Sequence, residues 1–309
     1  MSKKHRDRLA KFNSRTSQFQ PHRSDFSVYT VNNIRDYLDW ILQSRKSEFM
    51  DNNGQTVSFE HSHLYYRGQS SKKWRVIAGV FREPYGGVIT EHELLKMSAL
   101  RLWKELSQYS SYLDKLVFLQ HYGMKTRLID VTYNPLVALF FACSHSSADN
   151  ESDGIVYCGY MNNNDNEKIA ELSAEYIFTH TLYNIDEDIK EFSKKHKTQL
   201  WEFSKPLLLL PPFNNERIEN QKGAFIMSPL ICMNGDTYTT AFEGDFDNHQ
   251  LFANEVAIIP YSCKSELLKE LHTFGINRGT VFVGVSEKIE SIIQEKLWDI
   301  EKVNQIKFE

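Results

Sequence analysis

The sequence predicts an α+β fold whose N-terminal half is mainly helical. Apolar residues recur at helical spacing in the first half of the chain, and short apolar runs bounded by Gly or Pro fill the second half. The two kinds of segment do not alternate regularly, as the strands and helices of a doubly wound parallel sheet would. This segregation favours α+β, and no internal repeat is visible.

The first predicted helix runs from about Ile34 to Arg45, where apolar residues recur every 3 to 4 positions. An aromatic strand is expected to begin at Leu64 and to end at Gly68, because Gly often interrupts strands. The second helix is expected to start at Thr90, whose hydroxyl and the carboxylate of Glu93 have the spacing of a capping box.

Two further helices have clear boundary signals. Ser111 and Asp114 repeat the capping spacing, and Gly123 suits the left-handed cap at the end of the same helix. Asn134 and Pro135 are the preferred N-cap and first residue of the next helix. That helix is apolar on every face, so we expect it to be buried.

Strands dominate the remaining predictions. The expected strands are Gly154 to Met161, Leu207 to Leu210, Gly223 to Met227 and Glu255 to Pro260, and the last two helices are Lys264 to Phe274, closed by Gly275, and Glu287 to Ile300.

The composition is that of an ordinary globular protein. The chain has 309 residues, 41% of them hydrophobic, and 36 basic against 40 acidic residues give a net charge of −4. No apolar run approaches the roughly 20 residues that span a bilayer, and the charged N-terminus has no apolar signal segment. The four cysteines are widely spaced without a CxxC pair. We expect a cytoplasmic protein without membrane contact.

The first 23 residues form a basic arm with a single acid, Asp7. Its seven cations are Lys3, Lys4, Arg6, Arg8, Lys11, Arg15 and Arg23. Such an arm favours a polyanionic partner, although a solvated tail without any partner has the same composition. Removing its charge of 7 − 1 = +6 leaves the rest of the chain at −4 − 6 = −10, so any nucleic-acid contact of the body should be local.

The motifs of nucleotide hydrolases, zinc proteases and α/β-hydrolases are absent. His61 and His63 have a spacing that places two imidazoles on one strand face, but no Cys or carboxylate stands near them as a further ligand. The sequence therefore predicts no metal site.

A first polar constellation is Tyr65 to Gln69. There the guanidinium of Arg67 can make a bidentate contact to phosphate, and Gly68 lets a ligand approach the backbone. Alternatively, Arg67 pairs with a buried carboxylate at the end of the strand.

A second constellation, from Phe118 to Ala142, places many polar side chains between two apolar helices. They are His121, Tyr122, Thr126, Arg127, Asp130 and Thr132. Polar groups in such a position must satisfy one another or a ligand. An internal network of Arg127 with Asp130 is one possibility, and a preorganised site is the other; the two are compatible.

A third constellation precedes the strand that starts at Gly223. Arg217, Glu219 and Gln221 stand there, and Gly223 indicates a turn or a close backbone approach; the alternative is a plain connection from a helix to a strand.

These three places, in the form YYRGQ, LQHYGMKTRLIDVTYNPLVALFFA and RIENQKGAFIM, resemble the FRG domain family, named for its Phe/Tyr-Arg-Gly motif. The weaker segment LLKELHTFGI extends the resemblance, which runs from about Leu64 to Val283. It implies an N-terminal arm with the first helix at 1–55, an FRG domain at 56–290, and a C-terminal helix and tail at 291–309.

The resemblance further implies a distant branch of the ADP-ribosyltransferases, with a split β-sheet core, NAD as the substrate and no metal. Arg67 matches the first signature of those enzymes, and the stretch from Thr126 through Thr132 into the next helix matches the second. The third signature is a Glu at a later strand, for which Glu219, Gln221 and Glu255 remain open.

In the roles that the resemblance implies, Arg67 clamps phosphate, Tyr66 or Tyr122 stacks on nicotinamide, and His121 and Thr126 orient the ribose. The candidate catalytic residues are Asp130, Gln221 and Glu255, and the candidate cofactor-binding residues are Tyr66, Arg67, Gly68, His121, Tyr122, Thr126 and Arg127.

The function implied by the resemblance is an ADP-ribosyltransferase that acts as a toxin or antiviral effector on nucleic acid, RNA before DNA. A toxin of this kind is expected to have a neutralising protein partner. Two alternatives remain open at this point: a module that binds a nucleotide or nucleic acid without reaction, and an NAD hydrolase that uses water as the acceptor.

Overall fold

A computed structural model of the chain describes residues 27–44, 48–50, 56–58, 64–82, 88–144, 151–160, 166–180, 185–210, 216–234, 237–240, 252 and 255–282. The strands in these ranges are β1 (Ser27–Thr30), β2 (Glu48–Met50), β3 (Thr56–Ser58), β4 (Leu64–Gln69), β5 (Leu128–Thr132), β6 (Gly154–Tyr160), β7 (Leu207–Leu209), β8 (Gly223–Met227), β9 (Ile231–Asn234), β10 (Thr237–Thr240) and β11 (Glu255–Ile259).

The α-helices in the same ranges are α1 (Ile34–Ser44), α2 (Val88–Arg101), α3 (Trp103–Ser107), α4 (Tyr112–His121), α5 (Pro135–Cys143), α6 (Asn166–Thr179), α7 (Ile185–His196), α8 (Glu216–Gln221), α9 (Lys264–Thr273) and α10 (Arg278–Val281). Three short 3₁₀ turns are also present, at Gly79–Phe81, Leu200–Ser204 and Tyr261–Cys263.

Seven strands form one mixed sheet in the order β1-β11-β6-β4-β5-β8-β7. Neighbouring strands are antiparallel except for β1 and β11, which are parallel. The protein is therefore a mixed α and β chain, as predicted. Helices dominate the described residues of the first half, as predicted, but strands do not dominate the second half, because α6 to α10 lie there. β4 and β5 come from the first half and lie at the centre of the sheet.

The sheet opens between its two central strands. β4 pairs with β6 at six positions and β5 pairs with β8 at five. Between β4 and β5, in contrast, the only residue pair in register is Tyr66 with Thr132. The two strands therefore separate on one side of this pair, and their backbone groups there are available to side chains that enter the opening.

The two faces of the sheet bury two different cores. Successive residues of a strand point to opposite faces, so Tyr65 and Tyr66 of β4 enter different clusters. Tyr65 packs with residues of α2, α4 and α6. Tyr66 packs under α1 and α5, where its ring lies 6.4 Å from that of Trp40.

Helix α5 lies directly against the backbone of the sheet. A Cβ atom on Gly68 of β4 would stand 1.8 Å from the carbonyl oxygen of Ala138, and one on Gly154 of β6 would stand 2.3 Å from that of Ala142. Neither strand tolerates a side chain at these points. The prediction that Gly68 ends β4 is wrong, because the strand continues to Gln69. The glycine instead allows the backbone of α5 to lie against the strand.

Four predicted helix boundaries are confirmed. The Ser111 hydroxyl accepts a hydrogen bond of 3.1 Å from the backbone N–H of Asp114, and the side chain of Asn134 accepts one of 3.0 Å from Leu136. Gly123 and Gly275 follow α4 and α9 with φ angles of +93° and +77°. Local capping chemistry therefore determined these ends correctly.

The predicted start of the second helix at Thr90 is wrong. Helix α2 begins at Val88, so Thr90 lies inside its first turn. The helix also stops at Arg101, because Leu102 leaves the helical region with φ −113° and ψ 29°. The basic arm and the predicted helix from Glu287 to Ile300 lie outside the described residues. Among the residues that are described, no helix is long and apolar enough to cross a membrane.

Candidate functional site: a cationic cavity at the opening of the sheet

A cavity of about 320 Å³ lies where β4 and β5 separate, which is a volume typical of small-molecule sites. The 3₁₀ turn at Gly79–Phe81, the end of α4, the loop after it, and α8 complete its walls. The polar side chains that line it are Arg67, Arg82, Gln120, His121, Lys125, Thr126, Asp130 and Gln221.

The guanidinium of Arg67 enters the cavity largely unsatisfied. One Nη1–H donates a hydrogen bond of 2.6 Å to the backbone oxygen of Asp130, while the buried Nε has no partner in the described part of the chain. Burial lowers the pKa of Arg67 from 12.5 to about 10, against the opposing effect of the Asp130 carboxylate. Arg67 is therefore still a cation at neutral pH, with donors left for an anion.

Gln120 positions the carboxylate of Asp130. Its Nε2 donates hydrogen bonds to Oδ1 of Asp130, at 3.1 Å, and to the backbone oxygen of Leu128, at 3.3 Å. Its Oε1 accepts a hydrogen bond from the hydroxyl of Thr126. Thr126 is 1% exposed and its hydroxyl also accepts a bond from the backbone N–H of Leu128. The hydroxyl of Thr126 thus mainly supports the side chain of Gln120. The sequence analysis did not identify Gln120 as a site residue.

Arg127 is not a cofactor ligand, because it is fully buried against Glu91 of α2. Its Nε donates to both carboxylate oxygens of Glu91 at 3.1 Å, its Nη2 contacts the same carboxylate, and its Nη1 donates to the backbone oxygen of Pro229 at 2.9 Å. The two side chains are 0% and 1% exposed. The predicted network of Arg127 with Asp130 is therefore wrong; a carboxylate 36 residues earlier is the partner.

Tyr66 and Gly68 also lie away from the cavity. Both flank Arg67 on β4, so they face the opposite side of the sheet. Tyr66 is 1% exposed among the residues under α5, and Gly68 touches the backbone of the same helix. The predicted stacking of Tyr66 on nicotinamide and the predicted approach of a ligand to Gly68 are therefore wrong.

His121 and Tyr122 end α4 at the mouth of the cavity. His121 lines it, whereas Tyr122 is 73% exposed and stands next to it. The Tyr122 ring is supported by Phe118, at 4.7 Å and 50°, and by His121, at 5.0 Å and 84°. Neither neighbour lies parallel to the ring, so neither covers one of its faces by stacking.

Of the three residues considered for the third signature, only Gln221 lines the cavity. Its Nε2 donates to the backbone oxygen of Val281 at 3.2 Å, and its own backbone oxygen accepts a bond of 2.6 Å from Thr132. Glu219 is exposed on α8 and does not line the cavity. Glu255 begins β11, two strands from β4, which is roughly 10 Å at ordinary strand spacing; its side chain lies outside the described part.

Two cations of the cavity were missed by the sequence analysis. Arg82 donates two hydrogen bonds, of 3.2 Å and 2.8 Å, to the backbone oxygen of Ile77. Lys125 rests its aliphatic stem on Gly79, where an added Cβ would come within 3.1 Å of its Cδ. Lys125 stands inside the second constellation and Arg82 directly after the 3₁₀ turn, but nothing in their local sequence brings them together.

The cavity therefore attracts anions. Three cations, Arg67, Arg82 and Lys125, surround it, and Asp130 is the one carboxylate among its described lining residues. The balance of 3 − 1 is +2, within a chain whose net charge is −4. No group of three or more His, Cys, Asp or Glu side chains within the described ranges is placed to hold a metal, and His61 and His63 fall outside them.

These features define a mixed α and β protein with a cationic cavity between the central strands of its sheet. The family model of the FRG domain matches residues 62–151. The match includes β4, β5, α5 and the cavity residues from Arg67 to Asp130. It ends before α8 and Gln221, so it is shorter than the resemblance seen in the sequence.

No curated protein and no solved structure matches the chain. The argument for function therefore depends on the site itself.

Proposed function

We propose that the protein is an NAD-dependent ADP-ribosyltransferase and that the cavity between β4 and β5 holds NAD. The observation that carries the proposal is Arg67, a half-buried cation that uses a single hydrogen bond to the backbone of Asp130, has a buried Nε without a partner among the described residues, and faces a cavity of about 320 Å³. A buried donor left unused is costly unless an anion completes it, and a planar fork of N–H groups suits pyrophosphate.

The charge of the cavity matches this substrate. The pyrophosphate of NAD has two negative charges, and Arg67 and Arg82 supply two positive ones. Arg82 is held by the backbone oxygen of Ile77 and lines the same cavity as Arg67, so phosphate can contact both cations. Repulsion by Arg82 contributes to the lowered pKa of Arg67, and a bound anion would relieve it.

The reaction breaks the bond between the anomeric carbon and the nicotinamide nitrogen. The bonding electron pair moves to the positively charged ring, so neutral nicotinamide leaves and positive charge develops on the ribose. Asp130 is the carboxylate that can stabilise this charge, and Gln120 holds it in place. The oxygen of an acceptor hydroxyl then bonds to the anomeric carbon, and Asp130 takes the hydroxyl proton.

Gln221 has a role in binding rather than in proton transfer. Its amide nitrogen is engaged with Val281, which directs the amide and leaves its oxygen as an acceptor for a ribose hydroxyl. A Gln cannot carry the negative charge of the Glu that the resemblance implies. The proposal therefore assigns the electrostatic role to Asp130 and the orienting role to Gln221.

The opening of the sheet supports a further part of the proposal. A split β-sheet core is the arrangement that the resemblance implies. The single residue pair between β4 and β5, and the position of the cavity beside it, are consistent with such a core.

The test is release of nicotinamide from NAD by the purified protein, alone and with RNA, DNA or protein as acceptor. Arg67→Ala should lower kcat/KM about 100-fold, which is the value of a lost hydrogen-bonded charge contact, with little change in thermal stability. Arg101→Ala is the matched control, because Arg101 is an exposed arginine at the end of α2. An Arg67→Ala protein that retains the wild-type rate would refute the proposal.

A second candidate is a module that binds a nucleotide without reaction. It is favoured by the presence of Gln221, not a Glu, in the cavity. This module would bind NAD or another nucleotide through Arg67 but would release no nicotinamide with any acceptor. The NAD hydrolase alternative is separated from both by its product, since it would form free ADP-ribose and leave every macromolecule unlabelled.

A further inference from the structure

Beside the cavity lies a second surface, which we call the rim. It consists of Tyr122 and Lys125. Tyr122 is 73% exposed, and Lys125 is exposed and forms no ion pair with any described residue. An exposed aromatic ring alone is ordinary, but here it lies between the end of a helix and a cationic cavity. The rim therefore combines a π surface with positive charge.

Two aromatic neighbours support the Tyr122 ring. Phe118, one helical turn earlier, and His121 both contact it at angles far from parallel, so the ring is supported without a face being stacked. The backbone N–H of Tyr122 also closes the end of α4 on the oxygens of Phe118 and Gln120. A ring with fixed orientation loses little conformational freedom when a flat group stacks on it.

Lys125 follows Tyr122 by three residues, and Gly123 turns the chain between them with φ +93°. The stem of Lys125 lies on Gly79, and Lys125 lines the cavity. His121 and Gly123, the chain neighbours of Tyr122, line the same cavity. A nucleic-acid strand complements an aromatic ring beside a cation, because each base has a flat face and each phosphodiester group has one negative charge.

We propose that the rim is the binding site of the acceptor, and that the acceptor is a single-stranded nucleic acid: Tyr122 stacks on one unpaired base, while Lys125 holds a flanking phosphate. The role of the nucleic acid as an acceptor rests on the proposed function, whereas its binding to the rim does not require NAD. A paired base has both faces covered by its neighbours in the duplex, so the site selects single strands.

The test measures binding of short labelled strands by fluorescence anisotropy in the absence of NAD. The two principal strands are an oligouridylate and an abasic strand of the same length and charge. Wild-type protein should bind the strand with bases about 5- to 150-fold more tightly, which is the contribution expected from stacking of one base. Equal binding of the two strands would overturn the proposal.

The variants separate stacking from charge. Tyr122→Ala should abolish the preference for bases, and Tyr122→Phe, which keeps a ring, should retain it. Lys125→Ala should weaken the binding of both strands equally. It should also reduce the slope of the logarithm of the binding constant against the logarithm of the salt concentration by about 0.7. The controls are Trp103→Ala, an aromatic residue that is 60% exposed outside the cavity, and Lys96→Ala, an exposed lysine of α2; both should bind as the wild type does. Retention of the preference by Tyr122→Ala would also overturn the proposal.

Further strands and a peptide identify the partner. Oligodeoxythymidylate distinguishes DNA from RNA, and a duplex of the same sequence should bind more weakly than the single strand. A duplex or an acidic peptide of equal charge that binds as tightly as the single strand would contradict the inference. Nicotinamide release, measured separately, shows which proposal has failed. NAD cleavage without a preference for bases would refute acceptor binding at the rim. A preference for bases without NAD cleavage would support binding at the rim and refute the transferase activity.

Discussion

Arg67 and Arg127 are both arginines at the central strands, but their surroundings give them opposite roles. Arg127 is fully buried, and its guanidinium is satisfied by Glu91 and the backbone of Pro229. Arg67 has one hydrogen bond and an Nε without a partner among the described residues. A satisfied buried ion pair fixes one arrangement of elements, whereas a guanidinium with unused donors can still bind an anion.

Arg127→Met should therefore lower the free energy of unfolding by about 3 to 5 kcal/mol, because the buried carboxylate of Glu91 loses its partner. The double variant Arg127→Met/Glu91→Leu should recover a large part of this loss, since it leaves no unpaired buried charge. Urea unfolding of the four proteins in the cycle measures both effects. A role of Arg127 in cofactor binding, as first predicted, would instead change the affinity for NAD and leave the stability unchanged.

At the scale of elements, the contact between α5 and the sheet positions Arg67. Helix α5 packs on β4 and β6 at Gly68 and Gly154, where backbone meets backbone without intervening side chains. Because Gly68 directly follows Arg67, the contact that seats the helix also determines where the guanidinium enters the opening. The glycine of the family motif thus acts on the arginine through packing rather than through a ligand.

Gly68→Ala should destabilise the protein by about 3 kcal/mol, because a methyl group 1.8 Å from a backbone oxygen forces the helix away from the strand. Thermal or urea unfolding provides the measurement. Gly223→Ala is the control, since its nearest atom would lie at 3.5 Å, an ordinary contact distance. If the two substitutions cost the same, the close approach of α5 is not what requires glycine at position 68.

At the scale of the whole molecule, one polar contact ties together three strands at one end of the sheet. Asp153, before β6, accepts a hydrogen bond of 2.6 Å from Lys72, after β4, and one of 3.0 Å from the backbone N–H of Tyr261, after β11. The hydrogen bond from Lys72, followed by that from Tyr261, holds the pKa of Asp153 below its ordinary value of 3.8. The ionised carboxylate is thus preferred by the folded state.

The stabilisation by Asp153 should be present above about pH 4 and should be lost as the pH falls through the lowered pKa of the folded state. Asp153→Asn should therefore unfold at a lower temperature than the wild type at pH 7, and the difference should shrink in acid. Asp114→Asn should instead unfold at a higher temperature than the wild type at pH 7, and this difference should also shrink in acid. The reason is that burial and the nearby Glu171 raise the pKa of Asp114, so that its ionised form is disfavoured by the folded state. Unfolding midpoints between pH 2.5 and 7 test both; a difference for Asp153→Asn that does not depend on pH contradicts the assignment.

Much of the fold follows from short-range physics and was therefore predictable. The N-caps at Ser111 and Asn134 and the left-handed glycines at 123 and 275 depend on groups within a few residues, and the structure confirms them. The seven strands of the sheet include β4, β6, β7, β8 and β11, all predicted from apolar runs. Strand order was not predictable, since it depends on contacts between residues far apart in the chain.

The sequence by itself determined the mixture of helices and strands, four helix ends and the choice of Arg67 as a candidate site residue, because periodicity, capping and motif chemistry are local. Only the tertiary structure decided that Tyr66 and Gly68 face away from the cavity, that Arg127 pairs with Glu91 and that Arg82 and Lys125 join Arg67. Those outcomes depend on which face of a strand is covered and which distant segments meet. Burial and charge at a point in space are sums over the whole chain, and no single segment contains them.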